Sequence, residues 1–438
     1  MLKTSAYNFA FSYDQTNKML LFNSLSGAVL ILDTTHYENV IHPILNAPDK
    51  NEQNSVVQEL LRQRMLVTAE TNELDILRDR YKRGQNRCQT LSLTFVPTLQ
   101  CNFRCDYCFE PHRPTSLTNS HFNKILAAVR RQAPTIKSLN VTWFGGEPLL
   151  KAPEIDKWSQ RLLAVVDDHG LRYKAGMVTN GYLLTTKNIE LIRNSRISAL
   201  QITIDGPKEA HDKRRPLHGG GSTYDMILGN LVSNREALEG IKITIRVNVD
   251  RRNLSELDIL LSALREQGLN TWCSVYFARV DRPTAYCGKI DEHLFSSIDF
   301  AQKQIELIRI LTKHGFEWRW KPEQKLVFCS AASKNHYVVD ANGDTYHCWN
   351  DLGTPVLAEG QLAESDLENM PESRYQQFTP FNDSECRDCK FLPVCMGGCI
   401  HPRIKGKRVN MCPEIKYNIR EQFGISYADK LCLDGTRA

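Results

Sequence analysis

No apolar run in this chain approaches the length that spans a bilayer, and the N-terminus lacks the basic-then-apolar pattern of a secretory signal. These two absences predict no membrane partner and a cytoplasmic location, where thiols stay reduced. Charge of one sign is scarce as well. The 55 Lys and Arg against 50 Asp and Glu leave a net charge of +5, which permits an acidic peptide or a nucleic acid as partner without demanding either. No aromatic stacking pattern accompanies the basic residues, so nucleic acid is the disfavoured partner. The 42% hydrophobic and 24% charged residues in 438 are those of an ordinary globular protein with room for two or three domains. Cysteine, by contrast, is plentiful. Fourteen of them in a reducing compartment point to metal or cluster ligation, not to disulfides.

Three cysteines stand together as Cys101-Asn102-Phe103-Arg104-Cys105-Asp106-Tyr107-Cys108, with no obvious fourth ligand nearby. A structural zinc normally takes four protein ligands, whereas an iron–sulfur cube on three cysteines keeps one iron free for a reactant. The preceding Leu91–Val96 reads as a β-strand, being rich in branched and aromatic residues and closed by Pro97. The cysteines then leave the C-terminal end of a strand, where α/β barrels place their chemistry. A plain redox or structural cysteine cluster is the alternative reading.

Upstream, Tyr7–Tyr13, Met19–Asn23 and Ala28–Leu32 read as three short strands separated by turn residues. Helical patterns follow, one with Val56, Leu60 and Leu61 on a single face. From Thr90 to about Leu311 strand and helix alternate. The candidate strands are Leu91–Val96, Leu139–Phe144, Tyr173–Thr179, Leu200–Ile204, Ile241–Val249 and Cys273–Phe277. Between them lie helical patterns such as Phe122, Ile125, Leu126 and Val129, preceded by Thr118, Asn119 and Ser120 as N-cap candidates. Six such units predict an α/β fold, a partial (β/α)6 TIM-like barrel left open on one side. After the predicted strands stand Gly145-Gly146-Glu147-Pro148, Thr179-Asn180-Gly181, and Asp205-Gly206-Pro207 running on to His211–Pro216. Paired glycines let backbone approach a ligand, and a carboxylate can accept from an ammonium group. Asn180 and Asp205 also read as turn formers. For His211, Lys213 and Arg214 a solvated basic surface is the expectation, while Arg215 divides evenly between surface and ligand contact.

The last third carries Cys329, Gly343 and Cys348 at C-x13-G-x4-C, then Cys386, Cys389, Cys395, Cys399 and Cys412. Its apolar periodicity is weak, so ligation is expected to supply part of its stability. Paired C-x2-C elements read generically as a zinc ribbon.

The C-x3-C-x2-C run resembles the signature of the radical S-adenosylmethionine (SAM) enzymes, and the seven-cysteine order of the last third resembles their twin-cluster SPASM extension. The resemblance implies SAM and three 4Fe-4S clusters as cofactors. It assigns one cluster to Cys101, Cys105 and Cys108. The second auxiliary cluster would take Cys386, Cys389, Cys395 and Cys412, and the first Cys329, Cys348 and Cys399. It also implies SAM contacts at Tyr107, Gly145, Gly146, Glu147, Asn180 and Arg215, and cleavage of SAM to a 5′-deoxyadenosyl radical. No catalytic acid or base is assigned. The cysteine that related sulfatase-maturing enzymes carry shortly before Cys329 is missing from Lys321–Phe328. Cys88, Cys273, Cys287 and Cys432 are by default buried small hydrophobes; Cys287 is the favoured cysteine to close this cluster, and an iron left open is the other outcome.

The three strands followed by helices resemble the precursor-recognition domain of enzymes that modify ribosomally made peptides, in which an extended leader peptide adds to a sheet edge. An N-terminal extension packed on the barrel is the other reading. Three domains result: 1–86 precursor-recognition-like, 87–315 barrel and 316–438 SPASM. Cys101–Glu110 and the N-terminal region resemble the streptide- and cyclophane-forming maturases more than the sulfatase-maturing group. The implied function is peptide maturation that installs a cyclophane, ether or thioether cross-link, with a precursor peptide and a reductant such as flavodoxin or ferredoxin as partners. Formylglycine generation on a sulfatase is the alternative within the family. An iron–sulfur or zinc RNA-binding or RNA-modifying protein is the alternative of another class.

Overall fold

The computed structural model describes residues 1–48, 54–318, 320–362, 367–406 and 411–432. The strands, in chain order, are β1 (Leu2–Thr4), β2 (Asn8–Tyr13), β3 (Lys18–Asn23), β4 (Val29–Asp33), β5 (Leu66–Thr68), β6 (Thr90–Phe95), β7 (Ser138–Trp143), β8 (Arg172–Thr179), β9 (Ile197–Thr203), β10 (Lys242–Val249), β11 (Cys273–Arg279), β12 (His336–Val339), β13 (Asp344–Tyr346) and β14 (Gly360–Gln361). All six expected barrel strands are present and pair in parallel, β6 to β11 in sequence order. Helices cross between them because each apolar strand must be covered on its outer face. The helix Asn119–Gln132 is typical: Thr118 Oγ1 caps it by accepting from the His121 amide at 3.2 Å, and Phe122, Ile125, Leu126 and Val129 go into the core. Such a cap contributes about 1 kcal/mol. Among the described residues no helix is long and apolar enough to cross a membrane.

The sheet does not end with the barrel. β12, from the last third, pairs in parallel with β6, with His336 opposite Ser92 and Val339 opposite Phe95. β13 and β14 continue it antiparallel, giving nine strands in all. The cysteine-rich segment is therefore stitched to the barrel by backbone hydrogen bonds beside the strand that precedes Cys101.

The N-terminal sheet has the order β2-β3-β4, all antiparallel. In the helix Ser55–Arg62 the buried residues are Val57 and Leu60, so the face is rotated from the expected Val56, Leu60 and Leu61. β3 packs into the last third: Leu20 and Phe22 share a core with Val394, Ile419 and Phe423, and Phe22 meets Phe423 edge-on at 5.1 Å. Tyr7, Leu77 and Tyr81 likewise pack on Phe381, Leu392 and Met396. The weakly periodic last third thus does bury apolar residues, against a partner that lies far away in sequence.

Candidate functional site

One cavity of about 320 Å³ opens at the C-terminal ends of the barrel strands. Cys101, Cys105 and Cys108 line it, together with Tyr107, Gly145, Gly146, Asn180 and Arg215. The structure brings these sequence-predicted residues to one place although they leave four different strands and loops. Glu147 is the exception. Its carboxylate is fully buried beneath the cavity and accepts from the Asn180 amide at 2.7 Å, the Thr179 hydroxyl at 2.7 Å and the Leu149 amide at 2.9 Å. Burial pushes this carboxyl up, and the three donors act against that rise. Glu147 therefore holds the Asn180 turn in position, and its side chain does not reach the cavity. The glycines serve an additional purpose: a Cβ on Gly146 would lie 2.1 Å from the Gln100 carbonyl oxygen. Only glycine lets this loop seat against the residue before Cys101.

The cysteine loop is held on its far side by charge. Arg214 and Arg252 both reach Asp250, at 2.8 and 2.6 Å, and Arg252 also pairs with Asp106, between Cys105 and Tyr107. Tyr107 Oη donates to Asp205 and accepts from Arg215 and, at 3.2 Å, from Asn248. Asp205, with no exposed surface, also accepts from the Asn248 amide at 2.7 Å. The basic run is thus not a solvated surface. His211 and Arg214 are buried, with burial pushing the His211 imidazole down to about 3, and only Lys213 is exposed. Asp205 does more than shape a turn.

Residues that sequence reasoning missed complete the cavity: Gln201, Thr203, Arg246, Asn248, Arg279 and Asp281. A signal was present. Gln201 and Thr203 in β9, and Arg246 and Asn248 in β10, are polar side chains two apart that alternate with apolar ones, which puts each pair on one face, the inner one. Glu110 also lines the cavity; burial pushes its carboxyl up to about 8 and Oε2 has no partner. From the last third, Trp349 reaches in, its ring 4.6 Å from Phe144.

The donor set suits an iron–sulfur cube. Three thiols rim one cavity, burial pushes Cys101 up to about 12, and Arg215 Nε is buried without a partner among the described residues. Assembly on such thiols releases protons, since the thiolate is the ligand. Among the described residues no three His, Cys, Asp or Glu side chains gather closely enough to hold a single ion. Cys386, Cys389, Cys395 and Cys412 rim a second cavity of about 330 Å³. Cys329 and Cys348 pack into one apolar cluster with Tyr375 and with Ile400, the residue after Cys399. Cys287 is not with them. It is buried among Val280 and Ile290 against Tyr107 and Phe109, and the next residue, Gly288, donates to the Asp106 carbonyl at 3.0 Å. Its segment braces the Cys101–Cys108 loop, so it is no ligand for the cysteines at 329, 348 and 399. Cys273 is buried as expected, while Cys88 and Cys432 are exposed.

Residues 95–271 match the family model of the Radical SAM superfamily. The chain is 22% identical over 441 aligned positions to the radical SAM cyclopropyl synthase TigE of Paramaledivibacter caminithermalis, covering 88% of this chain and 86% of that one. It is 24% identical to Fe-coproporphyrin III synthase of Methanosarcina barkeri, where the match covers 50% of this chain and spans about half, 52%, of the relative. Among solved structures, anSMEcpe with bound AdoMet superposes with a TM-score of 0.60 at 17% identity, covering 78% of this chain and 97% of that one. Streptococcus suis SuiB bound to its precursor peptide SuiA superposes with a TM-score of 0.54 at 17% identity, covering 94% and 99%. These likenesses are of fold.

Proposed function

We propose, from the premise that this chain is an enzyme with a radical SAM domain, that it matures a ribosomally made precursor peptide by installing a side-chain cross-link. The observation that carries this reading is the presence, in one chain, of a thiol-rimmed cavity and of an N-terminal sheet whose β4 pairs with no further strand among the described residues. SAM on a cube at Cys101, Cys105 and Cys108 would supply hydrogen-atom abstraction there. The chain's own residues then do the rest. Gly145 and Gly146 offer backbone to an amino acid group, Asn180 and Arg215 offer donors to a carboxylate or ribose, and Glu147 keeps Asn180 in place. Phe109, Phe144 and Trp349 wall the cavity and exclude water from it. Further domains at 1–86, 87–315 and 316–438, with auxiliary clusters in the last, complete the proposal.

Peptide maturation is favoured over sulfatase maturation by coverage. A match to 94% of this chain leaves too few residues uncovered to omit the first 86, and the neighbour that makes it is a structure bound to a precursor peptide. The 78% match leaves room for that omission. Mass spectrometry of a neighbouring small open reading frame's product after co-expression tests the reading. A loss of two hydrogens confined to one linked pair of residues is expected. An unmodified peptide alongside a converted sulfatase serine or cysteine would replace this function with formylglycine generation.

Leader capture has a specific edge. The Asn23 amide donates to Ala28 and the Thr34 amide to Asn17, so within the antiparallel β3–β4 ladder residues 28, 30, 32 and 34 face β3. The backbone groups of Val29, Ile31 and Asp33 therefore point outward, and among the described residues no strand pairs with them. Ile31→Pro removes one outward donor and places a ring where an added strand would lie. Leader affinity by fluorescence anisotropy should fall about tenfold, about 1.4 kcal/mol, while an Ile31→Ala control, which loses the same packing on the β3 core but keeps the donor, retains it. Unaltered affinity in Ile31→Pro would assign the N-terminal sheet to scaffolding.

A further inference from the structure

The second cavity sets a cation beside each of two of its cysteine sulfurs. Arg403 Nη2 lies 3.2 Å from Cys386 Sγ, and Lys416 Nζ lies 3.6 Å from Cys412 Sγ. Arg403 is held there: its side chain is 8% exposed and donates to Asp383 at 2.9 Å. Asp383 in turn caps the helix Ser384–Arg387 by accepting from the amides of Glu385 and Cys386 at 2.9 and 3.3 Å. In the main cavity the donors nearest Cys101 Sγ are neutral, the Phe103 amide at 3.4 Å and the Asn180 side-chain amide at 4.0 Å. Hydrogen bonds and charge at the sulfurs are levers on cluster potential, and a cationic donor acts more strongly than a neutral one.

We propose that Arg403 and Lys416 are positioning residues that raise the reduction potential of a cluster at Cys386, Cys389, Cys395 and Cys412, making it the acceptor of the electron released when the cross-link forms. The proposal rests on the peptide-maturation reading above, which supplies the need. Joining two X–H sites into one bond removes two hydrogens. One leaves as an atom to the SAM-derived carbon. The other leaves as a proton, to water, and an electron, to the oxidised cluster, which is thereby reduced by one. The electron that starts SAM cleavage comes separately, from a low-potential one-electron protein donor. An added electron is stabilised by cations beside the sulfurs, so Arg403 at Cys386 and Lys416 at Cys412 favour the reduced form of a cluster here.

The test is potentiometric titration of the reconstituted full-length chain, read by electron paramagnetic resonance with iron content measured in parallel. Arg403→Gln and Lys416→Met should each shift one auxiliary couple toward the oxidised form about tenfold, about 59 mV lower for a one-electron couple, with the SAM-binding signal unmoved. Arg403→Lys should recover most of the shift. Asp383→Asn removes a negative charge near Cys386 while its amide oxygen can still cap the helix, so its midpoint should move upward. A loosened fold would not produce shifts of opposite sign. Full iron content with unchanged midpoints in both Arg403→Gln and Lys416→Met overturns the proposal alone. Equal iron content in the wild-type chain and a Cys386→Ala/Cys412→Ala variant overturns the cluster assignment, and the proposal with it.

Discussion

Replacing Cys101, Cys105 and Cys108 together by alanine is expected to reduce 5′-deoxyadenosine release, measured chromatographically under anaerobic dithionite, to background. The three thiols rim the cavity that also holds Gly145, Gly146, Asn180 and Arg215, and no other cysteine lines it. The variant should still fold, because the loop's packing depends on Phe103, which is fully buried, on the Asp106–Arg252 pair and on Gly146 seated against Gln100. Iron should fall from about twelve to about eight per chain, the loss of one cube out of three. Undiminished release would remove the basis for placing SAM in this cavity. A fall to no iron at all would show that the three cysteine sites assemble as one cooperative unit.

The second large effect is expected at Asp250. It has no exposed surface and receives Arg214 at 2.8 Å and Arg252 at 2.6 Å, and Arg214 is itself 5% exposed. Asp250→Ala takes the ion-pair partner from the buried Arg214, leaving it the Asn248 carbonyl at 3.4 Å, and breaking such a pair by removing one partner costs about 3–5 kcal/mol. Denaturant unfolding should report that loss. Because Arg252 also reaches Asp106 within the cysteine loop, iron bound at Cys101, Cys105 and Cys108, as proposed above, should be lost faster to a chelator than iron bound in the last third. The pH dependence has a defined sign. Burial works to raise the Asp250 carboxyl, but hydrogen bonds from Arg252 and the Arg214 charge outweigh it and hold the group below its ordinary value. Its contribution is therefore present above the unfolded-state value, about 3.9, and is lost as pH falls through the lower folded-state value. The acid limb of the stability profile should be shallower in the Asp250→Ala chain than in the wild type. Parallel profiles would assign the acid sensitivity elsewhere.

Local chemistry that repeats over short spans was readable from the residues alone. The six barrel strands lie within a few residues of their expected limits, because β-branched and aromatic runs closed by turn residues have few alternatives. The C-x3-C-x2-C and glycine-pair elements were found by spacing, and the fold then placed them in one cavity. The directions of the Glu147 and Cys287 side chains were not legible, for a shared reason. A carboxylate after two glycines and a cysteine in an irregular stretch each have the right chemistry for ligation. Where the side chain points depends on which partner happens to pack beneath it: Asn180 and Thr179 for Glu147, Val280 and Ile290 for Cys287.

By itself, then, the sequence determined the α/β class and the order of its units, since each is set by periodicity within a few residues. Tertiary structure decided what is long-range. It turned His211 and Arg214 inward, where Arg214 finds Asp250 and the His211 ring nitrogen accepts from the Asp205 amide at 3.2 Å. It ran β12 beside β6 and so carried Trp349 from the last third into the cavity. It also gave the weakly apolar last third a core by packing it against β3. A buried charge or a shared core is stable only when its partner is in place, and the partners here lie tens to hundreds of residues away along the chain.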